Sequence, residues 1–136
     1  MNAKELTKKI ETIVNTIPVV HSFSDDSPYE FWNTQEVKYG SVCFMIRECT
    51  FVNDKIRYNC TVYYGDRYID ENDAFVDCQY VINQIIRVLE DDYDVEVISS
   101  TPVVTFFKQN FLDELAGGYA NIQFLTTNKF NCGYAD

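Results

Sequence analysis

The first segment of the chain has the hydrophobic pattern of an amphipathic helix. Its apolar positions recur every three or four residues: Leu6, Ile10, Ile13, Val14 and Ile17. Asn2, followed three positions later by Glu5, has the spacing of a helix-capping box, with Asn in place of Ser or Thr. Pro18 ends the helix, because the residue before a proline is driven toward extended backbone.

A second and longer helix is predicted to begin near residues Asp70 to Asn72. Its apolar face is again spaced by three or four residues: Phe75, Cys78, Ile82, Ile85, Ile86 and Leu89. Asp70, Glu71 and Asp73 gather at its start, where the helix dipole favours negative charge. This face predicts a helix packed against a sheet.

Between the two helices the pattern changes to strict alternation, which is typical of strands. Apolar residues alternate from Ser41 to Arg47 and again from Ile56 to Tyr64, on either side of an Asn53-Asp54 turn. The sequence therefore predicts a long β-hairpin. One face of it packs on helices, and the wetter face carries Arg57, Asn59 and Thr61.

The other predicted elements are short. They are a strand at Val19–Phe23, a loop at Ser24–Gly40, strands at Val95–Ser99, Thr101–Phe107 and Tyr119–Thr127, and a tail at Asn128–Asp136. The connection Lys108–Gly118 is expected to hold a helical turn, Asn110–Ala116, closed by Gly117-Gly118. Strands next to strands with two long helices indicate an α+β fold. We expect a mainly antiparallel sheet with both helices on one face, in a single domain spanning residues 1–136.

Composition and charge exclude several classes of function. The 136 residues are 46% hydrophobic and 24% charged, as in a folded, soluble protein. Acids outnumber bases 21 to 11, which argues against a surface that binds polyanions. The one histidine, His21, excludes sites built on several imidazoles. No apolar stretch approaches a membrane span, and polar residues interrupt any signal-peptide core.

The five cysteines are expected to be reduced. They are Cys43, Cys49, Cys60, Cys78 and Cys132, an odd number without a CxxC pair. Their spacing matches no zinc ribbon or finger. Cys43, Cys60 and Cys78 lie in apolar-patterned segments, where a free thiol behaves as a small hydrophobe. We therefore predict no disulfide and no zinc.

Other polar groups have simple structural interpretations. The acids around Asp70 lack the ligand spacing of an EF-hand and are interpreted as helix-start acids. His21 and Ser22 are neighbours on a predicted strand and so point to opposite faces, which favours a strand histidine over a catalytic one. We predict no catalytic residue, cofactor or metal.

Aromatic residues make up 15% of the chain, and they are the part of its composition that bears most on function. Several fit buried faces: Phe44, Tyr58, Phe75 and Phe124. Others lie in connections, where a monomer has least reason to keep them, and such residues are enriched in protein–protein interfaces. The predicted subunit-interface residues are Tyr29, Phe31, Trp32, Phe111, Leu112 and Leu115. The alternative is that these segments fold back on their own sheet.

The order of elements resembles the tail-terminator and head–tail connector fold of tailed bacteriophages. The most specific part runs from Val62-Tyr63-Tyr64-Gly65-Asp66-Arg67 through Asp70-Glu71-Asn72 into the segment Cys78–Ile86. This passage is similar to small neck and tail proteins of phages of Bacteroidetes, including crAss-like phages. It carries no catalytic signature.

The resemblance implies a non-enzymatic virion protein, made in the host cytoplasm and located in the neck or tail. It implies a homo-oligomeric ring of six or twelve copies that contacts neighbouring neck and tail proteins and surrounds the DNA channel, through which DNA passes without specific binding. The net negative charge is compatible with such a conduit. The alternative hypothesis is an acidic inhibitor or immunity-type protein that binds a basic partner, with its charge steering the encounter.

Overall fold

A computed structural model describes residues 1–32, 39–67, 70–98, 102–110 and 114–132. Within these ranges the chain forms three α-helices and six strands. The helices are α1 (Ala3–Val14), α2 (Pro28–Trp32) and α3 (Glu71–Glu90). The strands are β1 (Ser22–Ser24), β2 (Ser41–Val52), β3 (Lys55–Asp66), β4 (Val95–Val97), β5 (Val104–Asn110) and β6 (Glu114–Thr127). A short 3-10 helix, Lys129–Cys132, follows the last strand.

Both long helices begin where the sequence predicts, each at a side-chain cap. The Asn2 side chain accepts from the Glu5 backbone N–H at 2.8 Å, and the Glu5 carboxylate accepts from the Asn2 backbone N–H at 3.2 Å. Asp70 caps α3 by accepting from the Asn72 backbone N–H at 3.0 Å. The capping box is confirmed, and so is the interpretation of Asp70 as a helix-start acid.

The strands form one sheet in the order β1-β2-β3-β6-β4, with β5 also paired to β6. The pairings are antiparallel, except that β1 runs parallel to β2. β4 and β5 share one edge of β6: β5 pairs with residues 114–120 and β4 with residues 124–126. The predicted long hairpin is confirmed as β2 and β3. Asn53 takes the positive φ of 55° in its turn, and a bulge lies between Ile46 and Glu48.

The main core lies between one face of this sheet and the helices α1 and α3. Its largest contributors are Leu6 and Ile10 from α1, Ile82, Ile85 and Leu89 from α3, and Phe44, Tyr64, Ile122 and Phe124 from the sheet. The chain therefore has the predicted α+β architecture. The short helix α2, which interrupts the predicted 24–40 loop, instead packs on the opposite face at one end of the sheet.

The predicted helical turn at Asn110–Ala116 is wrong. β5 extends through Asn110 and β6 begins at Glu114, so the described residues at both ends of this segment belong to paired strands, while residues 111–113 lie outside the described residues. Gly117-Gly118 is not a helix cap but lies within β6, opposite Gly65 and Tyr64. A Cβ atom on Gly117 would lie 1.8 Å from the Tyr64 carbonyl oxygen, so glycine is required for this close strand approach.

Other predicted boundaries shift. The first strand is shorter than predicted, at Ser22–Ser24, and β4 ends at Val97. The predicted strand Thr101–Phe107 is observed as β5, beginning at Val104; residue 101 lies outside the described residues. The predicted tail starts with the 3-10 helix, and its residues 133–136 also lie outside.

Replacing Ile85 with Asp should destabilise the fold by about 4 kcal/mol or more, out of the roughly 5–15 kcal/mol typical of a domain. Ile85 is fully buried on the sheet-facing side of α3, so the substitution places an unpaired charge in the core. Urea unfolding of Ile85→Asp should be compared with Asn83→Asp, which adds the same group at an exposed position of α3. Equal unfolding midpoints for the two variants would contradict the assigned orientation of this helix.

Candidate functional site

A second, smaller cluster of buried side chains lies on the sheet face opposite the main core. It consists of Trp32 from α2, Cys43 from β2 and Leu115 from β6, with Phe107 partly buried against it. The Trp32 and Phe107 ring centroids are 5.8 Å apart. This cluster fixes α2 at the end of the sheet where β3 ends.

Polar contacts and a glycine determine the position of Trp32. Its indole N–H donates to the buried Ser41 hydroxyl at 2.5 Å, and that hydroxyl donates to the Gly65 carbonyl at 3.2 Å. Gly65 leaves room for the indole, because a Cβ there would lie 2.6 Å from the Trp32 ring. The Trp32 side chain is only 1% exposed.

This arrangement corrects the interface prediction for Trp32 and Leu115. Both are side chains of the monomer's interior, so neither offers a surface that a neighbouring subunit would cover. Phe31 is half-buried against the same cluster. The Tyr29 side chain, Phe111 and Leu112 lie outside the described residues. For Trp32 and Leu115, the alternative of segments folding back on their own sheet is the correct one.

The rest of this sheet face is covered by no helix of the described chain. We call it the open face, and it consists of the outward side chains of β2, β3 and β6: Arg47, Glu48, Arg57, Asn59, Thr61, Tyr63, Tyr119, Asn121 and Gln123. The predicted position of Arg57, Asn59 and Thr61 on the hairpin side away from the core is confirmed, with Arg57 and Asn59 half-buried and Thr61 buried. Alternation along the strands places these residues opposite the main core.

Hydrogen bonds hold the middle of the open face in place. The Arg47 guanidinium donates to the Thr61 hydroxyl at 3.1 Å and to the Tyr63 hydroxyl, and it lies 5.9 Å from the Tyr63 ring centroid. Thr61 in turn donates to the Asn121 side-chain oxygen at 2.8 Å. Tyr63 also contacts Tyr119, with ring centroids 5.5 Å apart. The surface is therefore partly ordered before any partner arrives.

Two polar atoms of the open face are removed from water without a hydrogen-bond partner. They are the Arg57 Nε and the Asn59 side-chain oxygen. The Asn59 amide nitrogen, in contrast, donates to Glu48 at 2.5 Å. A depression of about 380 Å³ beside them is lined by Arg47, Asn59, Asn121 and Gln123. Buried polar groups normally have partners, so these two atoms are exceptions among the described residues, and both lie beneath the surface, out of reach of solvent.

The opposite side of the molecule carries an exposed apolar pair. Val76 and Tyr80, one helical turn apart on α3, are 60% and 46% exposed. They point away from the sheet, because Cys78, Ile82 and Ile85 occupy the buried side of the helix. We call the exposed side of α3, with Asp73, Val76, Tyr80 and Asn83, the outer face of α3. This exposed apolar pair can be recognised in the sequence, because two apolar residues interrupt the polar side of the helix.

Burial disfavours the ionised form of several cysteine, tyrosine and aspartate side chains. Burial raises the pKa of the Cys60 and Cys78 thiols to about 12 and also raises that of Cys43. These thiols are protonated at neutral pH, and the thiolate is the reactive form. Burial likewise raises the pKa of Tyr64, whose hydroxyl donates to Asp66 at 3.4 Å. Burial also raises the pKa of the Asp66 carboxyl.

Among the described residues, no group of three or more His, Cys, Asp or Glu side chains is arranged to hold a metal ion. His21 lies directly before β1 with an exposed side chain, and its backbone N–H donates to the Gly40 carbonyl at 2.8 Å. None of the helices described is both long and apolar enough to cross a membrane.

The chain matches no protein-family model, and no curated protein matches its sequence. Its function is therefore inferred from the two unlike surfaces and from the sequence resemblance.

Replacing Trp32 with Ala should destabilise the monomer by about 3–5 kcal/mol, because it empties the second cluster and leaves Ser41 without its donor. Trp32→Phe keeps a ring and should cost less. The two are compared by urea unfolding. An interface tryptophan would instead give an Ala variant as stable as wild type. Since Trp32 is the only tryptophan, weak acrylamide quenching of its fluorescence is a second readout of its burial.

Alkylation of the native protein should label Cys49 rapidly and Cys43, Cys60 and Cys78 only after unfolding. The structure has all four as free thiols, with Cys49 exposed and the other three buried. Peptide mass spectrometry before and after denaturation measures each site separately. A disulfide between any two of these residues in unreduced protein would refute the assignment.

Proposed function

We propose that this protein is a structural virion subunit that forms a homo-oligomeric ring in the neck or tail of a tailed phage, around the DNA channel. The observation that carries the proposal is that the open face and the outer face of α3 are unlike surfaces on opposite sides of one small domain. A ring repeats one heterologous contact, so each subunit needs two different surfaces.

Three further features support this role. The resemblance of the segment from Val62 to Ile86 to phage neck and tail proteins gives the biological setting. The buried thiols are protonated and no metal-binding group lies in the described part of the chain, which fits a subunit without its own chemistry. The net charge of −10 fits a conduit that DNA passes without adhering.

The hairpin end of the molecule is suited to contacts with other neck or tail proteins. Phe51, next to the β2–β3 turn, is 64% exposed, and Tyr93 is fully exposed at the end of the sheet where β4 begins. Exposed aromatic residues are frequent anchors of protein–protein contacts. Adjoining layers of the virion would contact this end.

A second candidate function is that of an acidic inhibitor or immunity-type protein with a basic partner. The observation in its favour is Tyr93 itself, a fully exposed aromatic residue within the acidic run from Glu90 to Asp94. Such an aromatic residue among carboxylates is suited to a basic pocket on a partner protein.

Native mass spectrometry and electron microscopy of the purified protein test the proposal directly. We expect closed rings of six or twelve copies of the 15.8 kDa chain, and the same protein in purified phage particles at a matching copy number. A protein that remains monomeric at millimolar concentration and is absent from particles would contradict the ring. A monomer that forms a 1:1 complex with a basic protein would establish the second candidate.

A further inference from the structure

We propose that the outer face of α3 in one copy docks on the open face of the next copy. This inference rests on the proposed ring and specifies its repeated contact. Each copy binds one neighbour through its helix surface and the other neighbour through its sheet surface. The contact is therefore heterologous, and both surfaces of every subunit are buried in the ring.

The dimensions of the two surfaces match. α3 has 20 residues and is therefore about 30 Å long and about 10 Å across. The open face spans the three strands β2, β3 and β6, which gives a width of about 14 Å at the usual strand spacing. Docking would cover the uncovered face of the sheet with a helix, as in ordinary layered folds.

The charges of the two surfaces are complementary. The open face carries the cations Arg47 and Arg57 against one carboxylate, Glu48, in a chain whose net charge is −10. The N-terminal half of α3 is acidic: Asp70 caps it, and it carries Asp73 and Asp77 beside the exposed apolar pair. The exposed Arg87 follows one turn after Asn83 on the same side, so the acidic part that complements the open face is the N-terminal half of the helix.

Hydrogen-bonding groups are complementary as well. The exposed Gln123 amide of the open face both donates and accepts, and the outer face of α3 carries the exposed Asp73 carboxylate as an acceptor and the exposed Asn83 amide as a donor and acceptor. These groups lie at the surface, where a neighbouring copy can reach them.

The apolar pair fits the same contact. Val76 and Tyr80 are exposed in the monomer and would lie against Tyr63, Tyr119 and the aliphatic part of Gln123. Tyrosine and arginine are the residue types that most often anchor interfaces. The hydrogen bonds of Arg47 with Thr61 and Tyr63 already hold the receiving surface, which lowers the ordering cost of association.

Two variants, each with one damaged surface, test the proposal when they are mixed. Val76→Lys with Tyr80→Lys damages the helix surface, because it removes the apolar pair and sets cations opposite Arg47 and Arg57, and Arg57→Glu with Gln123→Glu damages the sheet surface. Each variant alone should remain at 15.8 kDa at concentrations where the wild type forms rings. An equimolar mixture should give a heterodimer of twice that mass and nothing larger, because one intact helix surface meets one intact sheet surface. Analytical ultracentrifugation measures all three samples.

Controls separate this contact from folding and from the ring itself. Val88→Lys adds the same charge to α3 at a similarly exposed position on the side of the groove with α1, and it should assemble like wild type. Circular dichroism verifies folding, and if Arg57→Glu with Gln123→Glu unfolds, Gln123→Glu alone replaces it because Gln123 is exposed.

The possible outcomes distinguish the two proposals. If wild type never assembles, the ring proposal fails. If wild type forms rings but a damaged variant also does, or the mixture stays monomeric, the assigned contact is wrong and the ring stands.

Discussion

The pairing of β3 with both β2 and β6 is the constraint on which the rest of the structure depends. β3 pairs with β6 from Lys55 to Asp66 and with β2 from Lys55 to Gly65. Every second side chain, from Ile56 to Tyr64, therefore faces the same core, and a one-residue slip would reverse all of them. The glycine opposite the end of this strand, Gly117, is what permits β6 to approach so closely.

This register also creates the surface on which the functional proposal rests. Because one set of alternating residues is buried beneath α1 and α3, the other set must face away from the helices. At one end, Trp32 covers that set and forms the second cluster. Over the remaining length it stays open, with Arg47 and Thr61 hydrogen-bonded in place and Arg57 Nε unpartnered. A sheet covered on one side only is what makes the two sides of the molecule unlike.

Local patterns in the sequence predict much of the fold. The capped helix α1, the long helix α3 and the β2–β3 hairpin were predictable because each follows one period over many residues. The helix α2 is only five residues long, too short to show a period. Gly117-Gly118 resembles a helix end in sequence, and only the tertiary approach of β6 to Tyr64 reveals its role.

The candidate site could also be predicted only in part, because local sequence patterns do not show tertiary contacts. The alternation of apolar and polar residues identified the side of the hairpin that faces away from the core, including Arg57 and Asn59. It could not show that Trp32 folds inward onto Ser41, because that contact depends on how α2 packs. Val76 and Tyr80 do leave a sequence signal, two apolar residues on the polar side of α3. Only the packing of the layers shows that no described element covers them.

A cryo-electron microscopy reconstruction of the assembled protein tests the central claim most directly. It should show copies related by a closed rotation, with Val76 and Tyr80 of each α3 seated on the strands β3 and β6 of the next copy. An assembly in which the open face points to solvent or lumen, or a two-fold dimer that pairs like surfaces, would contradict the account.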